Sequence, residues 1–225
     1  MAEVKRRYHA PVRTEQAAQT RRRILQAAAD AFAQRGWAGT TIAGVAREAG
    51  VTAQAVHLSV GAKPALLISA IQHAVAGDQP DIPLIDREPF RHAYAAGADV
   101  QQRAAAFAAG TSQVYQRAGR LFLVLAHTAS LDPELAALWD GARSARLQDC
   151  QRLLDLTGRR SRPLRDRLTD LLFVQSGPGV HADLVGDRHW SSDAYQCWLA
   201  GTVETLLACQ ENASPSGPAA KAPAD

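Results

Sequence analysis

Cysteine is scarce in this sequence, and no long apolar run occurs in it. Cys150, Cys197 and Cys209 lie far apart, and none of them belongs to a CxxC pair. An odd number of widely spaced thiols favours reduced side chains over a disulfide framework. No stretch approaches the ~18 consecutive apolar residues of a membrane-spanning helix, and the N-terminus carries basic and polar residues instead of the apolar core of a signal peptide. We therefore expect a reduced protein that remains in the cytoplasm.

Signals for β-strands and for catalysis are missing as well. The sequence contains no GxSxG, P-loop, HExxH or GxGxxG motif, and no Cys/His arrangement at metal-ligand spacing. Pairs such as Asp187 and His189 are ordinary surface residues in most proteins. These absences predict a non-enzymatic, all-α protein without a cofactor or a bound metal.

The chain is long enough for two domains. It has 225 residues, of which 47% are hydrophobic and 21% are charged. This composition excludes a wholly disordered protein and allows one small and one larger core. Residues 1–16 form a basic arm that we predict to be flexible. This arm either lies along DNA phosphates or in the adjacent minor groove, or it contributes nothing. Residues 213–225 are rich in Pro, Ala and Ser, which predicts a disordered tail.

Positive charge is concentrated at the N-terminal end. Residues 1–63 contain ten Lys and Arg against four Asp and Glu, whereas the remaining residues contain fifteen against eighteen. Basic residues that neutralise phosphates release counterions, and this release supplies much of the affinity of a DNA-binding protein. A solvated basic face is the alternative interpretation, and the motif in the same segment favours DNA.

Residues 20–71 have the pattern of four short helices, the middle two joined by a turn at Gly50. Glycine can adopt the left-handed backbone conformation that ends a helix. One apolar stripe precedes this glycine at positions i, i+3, i+4 and i+7, and it consists of Ile42, Val45, Ala46 and Ala49. The spacing predicts a helix-turn-helix.

The second helix of this motif is predicted to run from Ala53 to Leu58 and to enter DNA. We expect Thr40 and Thr52 to be the N-caps of the two helices. Small and polar residues face outward on the second helix, which suits the major groove. Its buried side should consist of Val51, Val56 and Val60.

The same segment resembles the DNA-binding domain of the TetR family of transcriptional regulators. The family pattern is close to T-R-x-x-I-L-x-A-A-x-x-x-F-A-x-x-G-[YW]-x-x-T-T-[IV]-x-x-[IV]-A-x-x-A-G-V-[ST]. This chain fills it without a gap through Thr20, Arg21, Ile24, Leu25, Ala27, Ala28, Phe32, Ala33, Gly36, Trp37, Thr40, Thr41, Ile42, Val45, Ala46, Ala49, Gly50, Val51 and Thr52. The resemblance implies an N-terminal three-helix DNA-binding head followed by a larger helical domain that binds a ligand and forms a homodimer.

The sequence departs from the family directly after this pattern. The family usually reads T-[LI]-Y-x-[YH]-F-x-[SN]-K-[ED]-x-L, whereas residues 55–66 read AVHLSVGAKPAL. His57 replaces a tyrosine that normally reaches a DNA phosphate, and imidazole can also donate to phosphate. Gln54 is expected to bond a base edge, and Thr41 and Lys63 to hold phosphates. The predicted DNA-contacting residues are Thr41, Thr52, Ala53, Gln54, His57, Ser59 and Lys63.

Helical patterns continue to about residue 210. A helix begins near Pro64, and the segment 77–89 then breaks the pattern and predicts a linker. The helices predicted beyond it are 90–96, 99–118, 121–130, 133–156, 163–175 and 192–210. The predicted divisions of the chain are the arm (1–16), a DNA-binding domain (17–63), a helical effector-binding and dimerisation domain (64–212) and the tail (213–225).

Residues 163–210 resemble, more loosely, the C-terminal ending of the same family. In such proteins the last two long helices pair with their twofold mates as a four-helix bundle. A dimer is expected because one helix-turn-helix reads only a half-site. The apolar faces of these helices are either intrachain core or dimer interface. The predicted interface consists of Leu168, Leu172, Gln175, Leu199, Val203 and Leu206.

The central helices carry aromatic residues that, by the same resemblance, enclose an effector. An aromatic lining with few polar groups suits a small apolar molecule, although aromatic residues at helical spacing are also ordinary core. His127 lies on a strongly apolar helix, and a buried neutral imidazole there would need a partner such as a bound molecule. The predicted lining is Tyr94, Phe107, Tyr115, Phe122, His127 and Trp139.

The expected function is that of a DNA-binding repressor released from its operator by a small, largely apolar effector. Its expected partners are double-stranded DNA, a second copy of the chain and the effector. The alternatives are a constitutive DNA-binding or architectural protein without a ligand pocket, a redox- or metal-responsive regulator, and an all-α enzyme that has inherited the head. Small molecules that raise thermal stability and release DNA would favour the effector-responsive regulator.

Overall fold

The computed structural model describes residues 9–77, 79, 81–158 and 160–210, and every regular element within them is helical. The all-α prediction is therefore confirmed. The helices are α1 (His9–Gly39), α2 (Ile42–Ala49), α3 (Ala53–Val60), α4 (Lys63–Ala76), α5 (Phe90–Ala93), α6 (Val100–Thr128), α7 (Pro133–Asp155), α8 (Arg162–Gln175), α9 (Pro178–His181) and α10 (Ser192–Ala208), with 3₁₀ turns at Leu84–Asp86 and Ala129–Leu131 and a π-helical turn at Ala182–Asp187.

The two predicted flexible ends are largely outside the described residues. The tail (213–225) and residues 1–8 of the arm fall there. Residues 9–16, which the sequence assigned to the arm, form the first turns of α1.

Threonine side chains cap both helices of the helix-turn-helix. The Thr41 hydroxyl oxygen accepts from the backbone nitrogen of Gly44 at 3.0 Å, and that of Thr52 accepts from the nitrogen of Ala55 at 3.1 Å. Such caps stabilise a helix by about 1 kcal/mol. Gly50 ends α2 in the left-handed conformation with φ 66°, as its place after the apolar stripe predicted.

The prediction that Thr40 caps α2 is wrong, because Thr40 closes the preceding helix instead. Its side chain is fully buried, and its hydroxyl donates to the Gly36 carbonyl oxygen at 2.8 Å. Gly36 has φ 65°, a conformation that interrupts α1 just before its end and that costs other residues more than glycine. The turn from α1 into α2 is therefore fixed from Gly36 to Thr40.

One apolar core joins the helix-turn-helix to the central helices. Its fully buried members come from α1 to α4 and also from α6 and α7, and they include Ile24, Phe32, Val45, Val56, Leu66, Leu67, Leu121, Leu125 and Leu135. Each buried leucine contributes roughly 1.5–3 kcal/mol relative to an exposed one. This core, called the shared core below, spans the predicted boundary between residues 63 and 64.

The predicted break in the sixth helix near residue 119 is absent. Asp99 caps the start of α6, because its carboxylate accepts from the Gln102 nitrogen at 2.8 Å, and the helix continues to Thr128. A Cβ atom on Gly119 would lie 3.4 Å from Nδ1 of His181, so this glycine permits the close approach of α9. Tertiary packing has overridden a local helix-ending signal here.

A second apolar core holds the C-terminal half together. It joins α5, α6, α7, α8 and α10 through buried residues that include Phe107, Cys150, Leu154, Leu168, Leu172, Tyr195, Leu199, Val203 and Leu207. Within the described residues no single helix is long and apolar enough to cross a membrane, although α3 and α4, which meet at a 68° bend, satisfy that requirement together.

Candidate DNA-binding surface and effector pocket

The outer side of α3 carries three of the seven residues predicted to contact DNA. Ala53, Gln54 and His57 are exposed, whereas Val56 on the opposite side is fully buried. Leu58 lies beside them with 82% of its side chain exposed. These four exposed residues form a continuous surface, called the reading face below, on a helix short enough to enter a major groove.

Thr41 and Thr52 lie at the N-terminal ends of α2 and α3, and both side chains are exposed. Each hydroxyl oxygen already accepts a backbone N–H, so its proton remains available to an acceptor such as a phosphate. The N-terminal end of a helix also carries a partial positive charge that favours anions. Ser59, the other predicted polar contact, is half-buried at the end of α3.

Lys63 also makes contacts within the chain, at the end of α1. Its ammonium donates to the Trp37 carbonyl oxygen at 2.6 Å and lies 4.4 Å from the centre of the Trp37 ring. Partial burial also lowers the pKa of this ammonium. Lys63 therefore joins the end of α1 to the start of α4, and the remaining N–H donors of its ammonium can still reach an acceptor such as a DNA phosphate.

The sequence analysis did not identify two residues that lie near the reading face. Arg21 of α1 is exposed, and its guanidinium donates to the Ser59 carbonyl oxygen at the end of α3. Leu58 is missed because exposed leucines are common and carry no motif. Its position four residues after Gln54, on the same side of the helix, is the signal that places it on the reading face.

Replacing Gln54 by alanine is expected to relax sequence preference at one position in each half-site. A glutamine amide on a base edge contributes about 1–3 kcal/mol of discrimination there. Because Gln54 carries no charge, the salt dependence of binding should stay unchanged. The measurement is the affinity for a panel of operator variants at two salt concentrations, with Gln72→Ala on α4 as the control. An equal loss for every sequence would contradict the base-contacting role.

A cavity of about 220 Å³ lies between α5, α6, α7 and the junction of α8 with α9. Four of the six predicted aromatic residues line it: Phe107, Tyr115, Phe122 and Trp139. The apolar part of the wall is completed by Leu84, Phe90, Val114, Ala142, Ala145 and Pro178. Such a concave and mainly apolar space is typical of a small-molecule site, although it is smaller than the ~300–1,000 Å³ of sites for drug-sized ligands.

Tyr94 and His127 do not line this cavity. Tyr94 is half-buried, and its hydroxyl donates to the Asp149 carbonyl oxygen at 3.4 Å. The expectation of a buried His127 is wrong, because this residue is exposed. The stripe of α6 that enters the shared core passes through Leu121 and Leu125, and His127 lies on another side of the helix.

One end of the cavity is polar, which the sequence did not reveal. Arg143, Arg146 and Asp149 of α7 reach it, together with Ser176 after α8. The Tyr115 hydroxyl donates to the Ser176 carbonyl oxygen at 2.8 Å. Burial raises the pKa of Tyr115 to about 12, and the positive charge of Arg146 acts in the opposite direction. Tyr115 is therefore a neutral hydrogen-bond donor at this end.

His181 lies just behind this end, between two tyrosine rings. The His181 ring centre is 5.6 Å from that of Tyr115 and 4.8 Å from that of Tyr195. Among the described residues, buried polar atoms without a hydrogen-bond partner are His181 Nε2, the Tyr195 hydroxyl and Thr169 Oγ1. Burial lowers the pKa of His181 and raises that of Tyr195, so both side chains are neutral near pH 7.

Stability is expected to fall as the pH drops below about 6.5, the ordinary pKa of histidine, in part because of His181. The folded state holds this imidazole neutral, so the unfolded chain binds the proton more readily and stability is lost with acid in this window. His181→Phe keeps a ring in place and should reduce this pH dependence. Urea unfolding from about pH 7.5 to about pH 5.5 measures it. Identical pH profiles for the two proteins would contradict the role of His181.

The three cysteines differ in their surroundings. Cys150 is buried, with its Sγ 3.9 Å from the Ser176 hydroxyl oxygen, and burial raises the pKa of its thiol to about 11. A thiol held protonated in this way is a poor nucleophile. Cys197 and Cys209 are exposed. In the part of the chain that the structure describes, no group of three His, Cys, Asp or Glu side chains is arranged to hold a metal ion.

Most of the predicted dimer-interface residues are intrachain core. Leu168, Leu172, Leu199 and Val203 are buried in the second core, because α10 packs along α6 and α8 covers the same core. A side chain buried inside one chain is not available to a partner. Gln175 and Leu206 are half-buried.

Two other residues of α8 are exposed and apolar. Leu171 is 44% exposed and Val174 is 60% exposed, and their i, i+3 spacing places them on one side of the helix. Exposed residues of α10 are small or polar and include Ala194, Cys197, Gly201 and Ala208. We call Leu171, Val174 and Gln175 the α8 patch.

Comparison with known proteins agrees with this geometry. Residues 24–70 match the family model described as bacterial regulatory proteins, tetR family. No curated protein sequence matches the chain significantly. A transcriptional regulator from Rhodococcus sp. Rha1 has a similar solved structure with a TM-score of 0.62 at 19% identity, over 83% of this chain and 95% of that one. A TetR-like transcriptional regulator from the same organism has a TM-score of 0.57 at 18% identity, over 84% and 93%.

The family match covers α2, α3 and most of α1 and α4, which carry the capped helix-turn-helix and the reading face. The structural similarity extends the shared fold through the C-terminal helices. The protein is therefore a DNA-binding transcriptional regulator. Its DNA-binding head, residues 24–70, matches the TetR family.

Proposed function

We propose that this protein is a repressor that a small, largely apolar effector releases from its operator. The observation that carries the proposal is the double position of Phe122 and Trp139. Both side chains line the cavity, and both pack against the shared core that contains the helices of the DNA-binding head. A ligand that moves these two rings therefore acts on the packing that positions the head.

Helix α4 is the element through which such a movement passes to the head. Leu66, Leu67, Ala70 and Ile71 of α4 are buried in the shared core. The Arg117 side chain of α6 donates to the Ala74 carbonyl oxygen at 3.0 Å near the C-terminal end of α4. In this proposal residues 17–63 contact DNA, and residues 64–212 bind the effector and dimerise.

A twofold dimer completes the proposal. Two heads must reach half-sites about 34–36 Å apart in successive major grooves, so a modest tilt of α4 prevents simultaneous contact. The α8 patch supports a dimer because Leu171 and Val174 form an exposed apolar surface on a helix that the second core holds in place. We assign the interface to this patch and to the adjoining exposed side of α10. The dimer acts in the cytoplasm, where bacterial operators lie.

The reading face also suggests a base contact that its polar residues do not supply. Leu58 presents a large apolar side chain beside Gln54. The methyl group of thymine is the apolar feature of the major groove. We therefore assign Leu58 to a thymine methyl next to the base that Gln54 contacts.

A filled cavity tests the effector part of this proposal. Ala142 lines the cavity, so Ala142→Phe should occupy it and leave the repressor bound to DNA in the presence of any effector. Ala137→Phe, at an exposed position on the same helix, is the matched control. DNA fragments retained by the purified protein supply the operator, and small aromatic and aliphatic molecules are screened for its release.

Release from the wild type and from Ala137→Phe, but not from Ala142→Phe, is the expected result. Linkage then requires operator DNA to weaken effector binding by the same factor, typically about 1–3 kcal/mol. Calorimetry with and without operator measures this factor. Equal effector affinities in the two titrations would contradict the repressor mechanism and leave a constitutive DNA-binding protein.

A further inference from the structure

The polar end of the cavity contains more positive than negative charge. Arg143 and Arg146 both reach it from α7, and Asp149 is the carboxylate among its lining residues. Neither arginine forms an ion pair with a carboxylate of the described residues. Burial raises the pKa of Asp149, and the positive charge of Arg152, which does not line the cavity, partly offsets this effect.

The two guanidiniums are held in place by contacts that leave donors available. Arg146 is half-buried, and its Nη1 donates to the Phe173 carbonyl oxygen at 2.7 Å. Its guanidinium carbon lies 3.7 Å from the centre of the Phe173 ring, and that of Arg143 lies 5.6 Å from the same centre. A guanidinium has five N–H donors in a planar fork, so the bond to Phe173 and the contact of Arg146 with the Tyr115 hydroxyl still leave donors free.

A partly buried guanidinium without an anion is costly, and a bound anion reduces that cost. The planar fork matches a carboxylate through two parallel hydrogen bonds. Ser176 and the Tyr115 hydroxyl place neutral polar groups at the same end. The remaining wall is formed by aromatic and aliphatic side chains, among them Phe107 and Trp139.

We propose that the effector is a small monocarboxylate with an aromatic or branched apolar body. Its carboxylate is held by Arg146, with Arg143 as the second cation at the cavity mouth, and its body lies against Phe107, Phe122 and Trp139. The volume of about 220 Å³ limits it to a molecule smaller than a typical drug. This inference rests on the proposed function for the biological role of the site, and it deepens that function by naming the ligand class.

Calorimetry on the full chain without DNA tests the charge requirement. The two probes are phenylpropionate and phenylpropanamide, which share the body and the planar head group but differ in charge. The carboxylate is expected to bind about tenfold more tightly or better, as hydrogen bonds to charged groups predict. Equal affinities, or no binding of either probe at millimolar concentration, would overturn the inference.

Variants then locate the charge. Arg146→Gln should abolish the preference for the carboxylate, whereas Arg152→Gln, an arginine of the same helix that lies 5.7 Å from the Tyr94 ring outside the cavity, should keep it. If Arg146→Gln fails to fold because the bond to Phe173 is lost, Arg143→Gln, which removes an exposed side chain, should still reduce the preference severalfold. A preference that survives in both cavity variants would overturn the inference.

The result is distinguishable from a failure of the proposed function. Selective binding of phenylpropionate without release of DNA would support the carboxylate site and contradict the repressor mechanism. Release of DNA by an uncharged molecule that competes for the same cavity would support the repressor mechanism and overturn the carboxylate inference.

Discussion

Replacing Leu171 by aspartate is expected to separate the proposed dimer and to weaken operator binding by about 10²–10⁴-fold. Leu171 belongs to the α8 patch, which we assign to the interface. A carboxylate buried there without a partner would cost several kcal/mol. Binding to two linked half-sites gains about 10²–10⁴-fold over one, so a monomer loses this factor. Sedimentation measures the mass, and operator binding measures the affinity.

Leu131→Asp is the matched control for this variant. Leu131 is 64% exposed and lies in the 3₁₀ turn after α6, away from the α8 patch. The substitution therefore introduces the same charge at a similarly exposed leucine. Its dimer and its DNA affinity should equal those of the wild type. Leu172 is unsuitable for the same test because its side chain is fully buried in the second core and an aspartate would unfold the chain. A wild-type mass of one chain at micromolar concentration would refute the dimer.

Replacing Leu125 by alanine is expected to lower the free energy of unfolding by about 2–5 kcal/mol. Leu125 is fully buried in the shared core, so alanine removes apolar contacts and leaves a cavity. Because that core also contains Ile24 and Val56, the loss should reach the DNA-binding head although Leu125 lies in α6. Urea unfolding gives the free energy, and amide hydrogen exchange in α2 and α3 reports on the head.

Leu207→Ala is the control that distinguishes the effect of the shared core from that of the second core. Leu207 is equally buried, but it belongs to the second core, which contains no residue of α1 to α4. We expect a similar loss of total stability from this variant, with slower exchange in α2 and α3 than Leu125→Ala produces. Equal exchange in the two variants at equal stability would contradict a shared core that transmits changes from α6 to the head.

The shared core also explains how the effector and DNA compete. Phe122 is three residues before Leu125 on the same helix, and it has one side in the cavity and another against this core. Packed cores deform in discrete steps because they contain little free volume. A ligand that prefers one arrangement of Phe122 therefore shifts the population of head orientations by the ratio of its affinities for the two.

The helix-turn-helix was determined by the sequence alone. The period of Val45, Ala46 and Ala49, the cap at Thr52 and the left-handed turn at Gly50 depend on neighbours within a few residues along the chain. The family match to residues 24–70 confirms this local reading. The wrong prediction at Thr40 also has a local cause. Either of the two adjacent threonines could have capped α2, and the break at Gly36 placed Thr40 in the turn that closes α1.

The sequence predicted that the C-terminal part is helical, but it did not predict which side of each helix is buried within the chain. An apolar stripe shows that one side of a helix will be covered, but it does not show whether the cover comes from the same chain or from a partner. The close packing of α10 on α6 placed Leu199 and Val203 inside the chain. It left Leu171 and Val174 of α8 exposed instead.

The same distinction between local pattern and tertiary contact applies to the cavity. Aromatic residues on central helices were sufficient to predict Phe107, Tyr115, Phe122 and Trp139 as neighbours of one space, because large apolar side chains turn inward wherever the helices pack. The sequence could not place Arg143 and Arg146 at that space. An arginine on a helix is solvated unless neighbouring elements enclose it, and only the tertiary contacts of α7 with the ring and carbonyl of Phe173 brought these charges to the cavity.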